Sequence, residues 1–179
     1  EPLERWGIFQ RDLKAYAMAA LVVESIDRGS AEGKPAAELF RTALSYLRML
    51  DGGADIDSLT IHALLRVLCL LGFAPDLREL KGTAAARTPL FFNPQEGRFQ
   101  DAAPADLHLP RLRLEPPMRE WLRESMSLRL DDFDKQTASP EHSRALIKFL
   151  VELIQYNLET ELKSMRFVRK MIWEKNALA

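Results

Sequence analysis

The chain has 179 residues, 47% hydrophobic and 28% charged, which is the length and composition of one folded domain and not that of a disordered chain. Its net charge of −1 excludes nucleic-acid binding driven by overall charge, so that any such binding must use a local patch. Its one cysteine, Cys69, excludes an intrachain disulfide and fits a reducing, cytoplasmic compartment, and the sequence has neither a long apolar run nor a signal-peptide pattern that would point to a membrane.

Leu13 to Ile26 reads as a first helix, with Tyr16, Ala20, Val23 and Asp27 three or four apart and Ala15, Ala17, Ala19 and Ala20 permitting close helix approach. Gly29 and Gly33 end it. Pro35 suits the first position of a second helix whose apolar stripe is Leu39, Phe40, Ala43, Leu44, Leu47 and Leu50, closed by Asp51-Gly52-Gly53. A third helix runs from about Ser58 to Leu71, capped by Asp57 or Ser58 and stopped by Gly72. It is apolar nearly all round, which places it centrally, with Cys69 a buried small hydrophobe and His62 a hydrogen-bonded packing residue.

Between about residues 74 and 117 the texture changes to a proline-rich stretch without helical period, in which Lys81 to Thr88 is small and polar. Phe91-Phe92-Asn93-Pro94-Gln95-Glu96-Gly97-Arg98-Phe99 reads as two short strands around a turn. A fourth helix begins near Pro116 with Met118, Trp121, Leu122, Ser125 and Met126 on one side. Ser139-Pro140-Glu141 is a start signal for a fifth, which carries Leu146, Phe149, Leu150, Leu153, Ile154 and Tyr156. The expectation is a single mainly α domain over residues 1–179, a bundle of about six helices with a small β-hairpin insertion.

The sixth helix begins around Glu161 to Ser164 and is amphipathic in an uncommon sense. Met165, Val168 and Ile172 fall on one side, while Lys163, Arg166 and Lys170 fall nearly opposite with Arg169 at their edge. Only Glu174 offsets them in the final turn. The plain alternative is a solvated face whose cations suit the helix C-terminus.

Catalytic signatures are missing: there is no glycine-rich phosphate loop, no G-x-S-x-G and no H-E-x-x-H. His62, His108 and His142 stand in three separate contexts, and Asp131-Asp132-x-Asp134 lacks the glycine and closing glutamate of a calcium loop. Nothing supports an enzyme, a metal or another cofactor.

The order of elements resembles the C-terminal helical region of the bacterial recombination protein O (RecO) family. Three stretches carry the likeness. Leu64-Leu65-Arg66-Val67-Leu68-Cys69-Leu70-Leu71-Gly72-Phe73-Ala74-Pro75 is similar to the family's apolar helix ending in Leu-Gly-Tyr/Phe-x-Pro. Phe92-Asn93-Pro94-Gln95-Glu96-Gly97-Arg98-Phe99 resembles its F-x-x-x-E-G hairpin, and Leu158 to Phe167 resembles its closing L-K-S-x-x-x-L/F helix. Many members carry a four-cysteine zinc site around the hairpin. The matching positions here are Leu80, Thr83, Asp101 and Pro104, so the chain is expected to bind no zinc and to hold its hairpin by packing Phe91, Phe92 and Phe99 on the helices, as zinc-less members do. The chain starts at Glu1, just after the point where the family's N-terminal OB-fold would end, and so reads as a C-terminal domain.

The resemblance implies a DNA repair recombination mediator: binding of single- and double-stranded DNA, strand annealing, work with RecR, binding of the acidic, Phe-ending tail of single-stranded DNA-binding protein (SSB), and help in recombinase loading. On that reading Lys163, Arg166, Arg169 and Lys170 would meet phosphates or acidic side chains, with Arg98 at the hairpin turn adding to them. Some members place basic residues for the SSB tail at the start of the core helix, where this chain has Ile61 and His62, so that tail binding would depend on Arg66 or move elsewhere. The rival reading is the small-molecule-binding and dimerisation domain of a TetR-type regulator, also all-helical, against which the hairpin insertion speaks.

Overall fold

The computed structural model describes residues 6–30, 36–76, 89–101, 110–127 and 140–174. The elements are α1 (Ile8–Arg11), α2 (Leu13–Gly29), α3 (Ala37–Asp51), α4 (Ile56–Leu71), β1 (Leu90–Asn93), β2 (Arg98–Gln100), β3 (Arg113–Leu114), α5 (Pro116–Ser127), α6 (Pro140–Leu158) and α7 (Lys163–Val168), with a π-helical turn, Arg169–Glu174, continuing α7. The protein is mainly helical with a small antiparallel sheet, as the sequence pattern predicts.

The third predicted helix, α4, is the hub. It packs against α2, α3, α5 and α6, and Leu59, Ile61, Ala63, Leu64, Leu65, Val67 and Leu68 are all buried. An element apolar on every side can be satisfied only by neighbours on every side. Its start lies two residues before the expected one, because Asp55 is the N-cap: its carboxylate accepts from Ser58 N at 2.9 Å. Its end is where expected, with Gly72 in the left-handed region at φ 82°. Two hydroxyls solve the polar problem on the α3 side. Thr60 Oγ1 donates to the Ile56 carbonyl at 2.6 Å, which leaves it to accept from the Tyr46 phenol at 2.8 Å, and burial raises the Tyr46 pKa.

The packed faces leave several apolar side chains outside. On α2 the stripe Tyr16, Ala20, Val23, Asp27 faces outward, and the buried side is Ala15, Ala17, Met18, Leu21, Val22 and Ile26. Both faces are apolar enough to be buried, and the small alanines decide which one can approach α4 and α6. On α3, Phe40 is exposed whereas Leu39, Tyr46 and Leu50 are buried. On α6, Tyr156 also faces solvent.

Among its described residues the insertion holds three strands rather than two, in the order β2-β1-β3. Phe92 pairs with Phe99 across β1 and β2, and Leu90 with Leu114 across β1 and β3. The turn is shaped by Asn93, whose Oδ1 accepts from Gln95 N at 3.0 Å, and by Gly97 at φ 66°. Phe92 and Phe99 are buried, with ring centroids 5.3 Å apart, and they meet Phe149 of α6 at 4.9 and 6.4 Å. This aromatic group anchors the sheet to the helices, and Phe91 is only half-buried. Of the four positions that match the zinc cysteines, Asp101 is described and exposed, and the other three lie outside the described residues, as do Lys81–Thr88, His108 and the Asp131–Asp134 segment.

Candidate nucleic-acid interface

α7 is a helix of six residues, too short to persist without tertiary support. Two attachments hold it. Its apolar side buries Met165 and Val168, continued by Ile172 and Trp173 in the π turn. A π turn holds more residues than an α turn, so it brings both Ile172 and Trp173 inward, where a regular helix would favour Ile172 alone. Arg144 of α6 stacks over Trp173 at 5.1 Å from the ring centroid.

The second attachment is polar. Leu162 stands at the N-cap position and cannot cap, but Glu24 of α2 does so from 139 residues away. Its carboxylate accepts from Lys163 N at 3.0 Å, from Ser164 N at 2.8 Å and from the Ser164 hydroxyl at 2.5 Å. Burial pushes the Glu24 pKa up, but the Ser164 hydroxyl and the two N–H groups outweigh it, and the carboxyl sits below its usual range. The connection before α7 is equally determined. Leu162 is buried with its N–H on Gln155 Oε1 at 2.8 Å, and α6 gives way at Glu159, a non-glycine residue at φ 48°.

The six cations singled out from the sequence fall into three groups. Lys163, Arg166, Arg169 and Lys170 are all exposed on α7 and the π turn. Among them Arg166 is paired with Glu161: its Nε lies 2.7 Å from Oε1 and its Nη2 contacts Oε2, a solvent-exposed bidentate pair that raises the Arg166 pKa and lowers that of Glu161. Lys163, Arg169 and Lys170 form no ion pair among the described residues. Arg98 is on β2 and is taken up by Glu96, with Nε and Nη2 at 2.6 and 2.5 Å from Oε2. Arg66 is exposed on α4, one turn after His62, whose ring bonds the Ser125 backbone of α5. The structure therefore gathers the α7 group on one element and leaves Arg98 and Arg66 on two others.

His62 and Ile61 are buried at the place where the resemblance put a tail-binding basic pair. Burial first, and Arg66 second, push the His62 pKa down to about 4, so at neutral pH it carries no charge. Cys69 is half-buried rather than fully buried, and its partial burial, against Arg66, raises the thiol pKa, which keeps it protonated rather than reactive. Sequence reasoning misses both Glu24 and the Glu161 pair. Glu161 precedes Arg166 by five residues, a spacing close enough to signal a partner. Glu24 gives no signal, because nothing local marks a cap that arrives from another helix.

The model of the family described as "Recombination protein O C terminal" matches residues 10–166. The chain belongs to that family. A protein from Desulforudis audaxviator called DNA repair protein RecO is 27% identical over 173 residues, covering 96% of this chain and 69% of the relative. The protein of that name from Bacillus pumilus is 25% identical over 173 residues, covering 96% and 67%. The one from Bacillus subtilis is 37% identical over 70 residues, 39% of this chain and 28% of the relative. No solved structure matches significantly. Membership of the recombination protein O family leaves the TetR-type reading without support. The family match ends at Arg166, so Arg169 and Lys170 lie beyond it. No helix among the described residues is long and apolar enough to cross a membrane.

Proposed function

We propose that this chain is the single helical domain of a RecO-type recombination mediator acting in DNA repair in the cytoplasm, and that α7 with its π turn contacts DNA through the phosphates. The observation that carries the reading is the set Lys163, Arg169 and Lys170, three exposed cations without an acid partner among the described residues, on one element of a family whose relatives are named for DNA repair. Such a patch neutralises phosphates without reading sequence, so single- and double-stranded DNA are both ligands. Arg166 is a reserve: its exposed pair with Glu161 holds it only loosely, and a phosphate competes with it. Arg98, paired with Glu96, contributes in the same conditional way. The protein is a binding module, not an enzyme, and RecR and the acidic SSB tail are its protein partners in strand annealing and recombinase loading. With Ile61 and His62 buried, the tail would depend on Arg66 for its carboxylates.

The test is an anisotropy titration of labelled DNA at several salt concentrations. Replacing Lys163, Arg169 and Lys170 together by glutamate is expected to weaken binding about 10- to 100-fold at low salt and to flatten the slope of log affinity against log salt by about 3, at unchanged melting temperature. An unaltered slope removes the patch from the account.

A further inference from the structure

Three of the exposed large apolar side chains lie on one face of α2: Leu13, Tyr16 and Val23, at 47%, 52% and 42% exposure, with the half-buried Ala20 between them. Spacings of three and seven keep them in line along the helix. Isolated exposed apolar residues need no explanation, but a row of them does. This row is not isolated from the cations. α2 packs along α7, and Tyr16 stands edge-to-face on Phe167, with centroids 6.4 Å apart and ring planes at 84°.

Phe167 is the link. Lys163 precedes it by four residues and Lys170 follows it by three, so the three share one face of α7 and its continuation. Lys163 to Lys170 spans about 10 Å of helix axis. The arrangement is thus an exposed phenol ring, propped by a half-buried phenyl ring, with the exposed Lys163 and Lys170 about one turn before and after that phenyl ring along the chain. Two other charges limit it. Asp27 closes the far end of the α2 stripe, and the Glu24 carboxylate is spent on capping α7 at Lys163 N and Ser164 N.

We propose that Tyr16, supported by Phe167 and flanked by Lys163 and Lys170, is a stacking platform for an unpaired base, which makes this face selective for single-stranded over duplex DNA. The proposal rests on the phosphate-binding role of α7 argued above. The charge complementarity decides the occupant: ammonium groups on both sides of an aromatic ring match a strand that alternates phosphates with flat bases. A duplex offers the same phosphates but keeps its base faces stacked inside, so the ring adds nothing to duplex binding. An acidic peptide could use the cations, but its apolar side chains are better served by a pocket than by a ring that protrudes.

The experiment compares Tyr16→Ala, Tyr16→Leu and Tyr16→Phe in the full chain, titrated with labelled oligo-dT and with a duplex of equal length at two salt concentrations, with thermal melts as the folding control. Tyr16→Ala and Tyr16→Leu are expected to weaken oligo-dT about tenfold and to leave duplex affinity and both salt slopes unchanged, while Tyr16→Phe binds like the parent. Equal losses on both ligands, no loss on oligo-dT, or full binding by Tyr16→Leu overturns the platform. A Lys163→Glu, Lys170→Glu double variant separates the two claims: if it weakens both ligands while Tyr16→Ala leaves oligo-dT unchanged, the phosphate reading stands and the platform falls, and if it leaves both affinities intact, the phosphate reading falls and the platform falls with it. Tyr16→Ala losing an acidic, Phe-ending peptide while keeping oligo-dT gives the face to a peptide and overturns the proposal.

Discussion

The sheet and α7 are both too small to stand alone, and they are fastened to the helical body by opposite means. The sheet is held by Phe92 and Phe99 against Phe149, an apolar joint with no titratable group in it. α7 is held partly by Met165 and Val168 and partly by one carboxylate, Glu24, on its first two N–H groups. An apolar joint is indifferent to pH and tolerant of small shifts, because dispersion and burial are non-directional. A carboxylate cap is directional and fails when protonated. The element that displays the cations is therefore the one whose attachment depends on charge.

The strongest challenge to this contrast is at Phe92. It is buried at the centre of the three-ring group, and Phe92→Ala is expected to cost about 3–5 kcal/mol in denaturant unfolding, with a midpoint that does not move between pH ~7 and pH ~5 relative to the parent. A loss under about 1 kcal/mol would mean the sheet is held elsewhere.

Acid sharpens the contrast from the other side. His62 is neutral in the folded chain, with a pKa pushed down to about 4, while the unfolded chain takes up a proton near pH ~6.5. Between those values the unfolded state binds more protons, so stability is complete above about pH 6.5 and falls as pH drops toward about 4, by about 3 kcal/mol in all. Glu24 acts in a lower window: its folded pKa is lowered, so its contribution is present above the unfolded carboxylate value and is lost as pH falls below about 4.3. Melting curves from pH ~8 to pH ~3 separate the two. His62→Asn flattens the upper window, and Glu24→Gln flattens the lower one while costing about 1–2 kcal/mol at neutral pH. A Glu24→Gln protein with the parent's acid profile would show that the cap is not what fastens α7.

The same contrast explains what was legible beforehand. The hub helix, its glycine stop and the hairpin can be read because their signals are local: an apolar run, a left-handed glycine, two aromatic strands around a turn. The outward turn of Tyr16 and Val23 cannot, since α2 has two faces that both look fit for burial, and packing against α4 and α6 selects between them. The cationic stripe is legible as composition, but its state is not. Arg166 and Arg98 are partly neutralised by Glu161 and Glu96, and the π turn that brings Trp173 inward has no sequence signature. Local charge can be counted from a sequence, whereas which charges remain free depends on side-chain geometry.

The smallest expected effect concerns the hinge between α6 and α7. Glu159 holds φ 48°, where a Cβ crowds the backbone, and Thr160 N donates back to the Gln155 carbonyl at 3.2 Å in the manner of a glycine-terminated helix. Glycine there removes the crowding but adds freedom to the unfolded chain, and the balance favours Glu159→Gly by about 0.5–1 kcal/mol. The substitution also deletes an acid from the connection that leads into the cationic element, so DNA affinity at low salt is expected to rise slightly, by less than about threefold, with the salt slope unchanged. A destabilised Glu159→Gly protein would mean that the Glu159 side chain contributes something in this turn that outweighs its strain, and the polar attachment of α7 would then extend beyond Glu24.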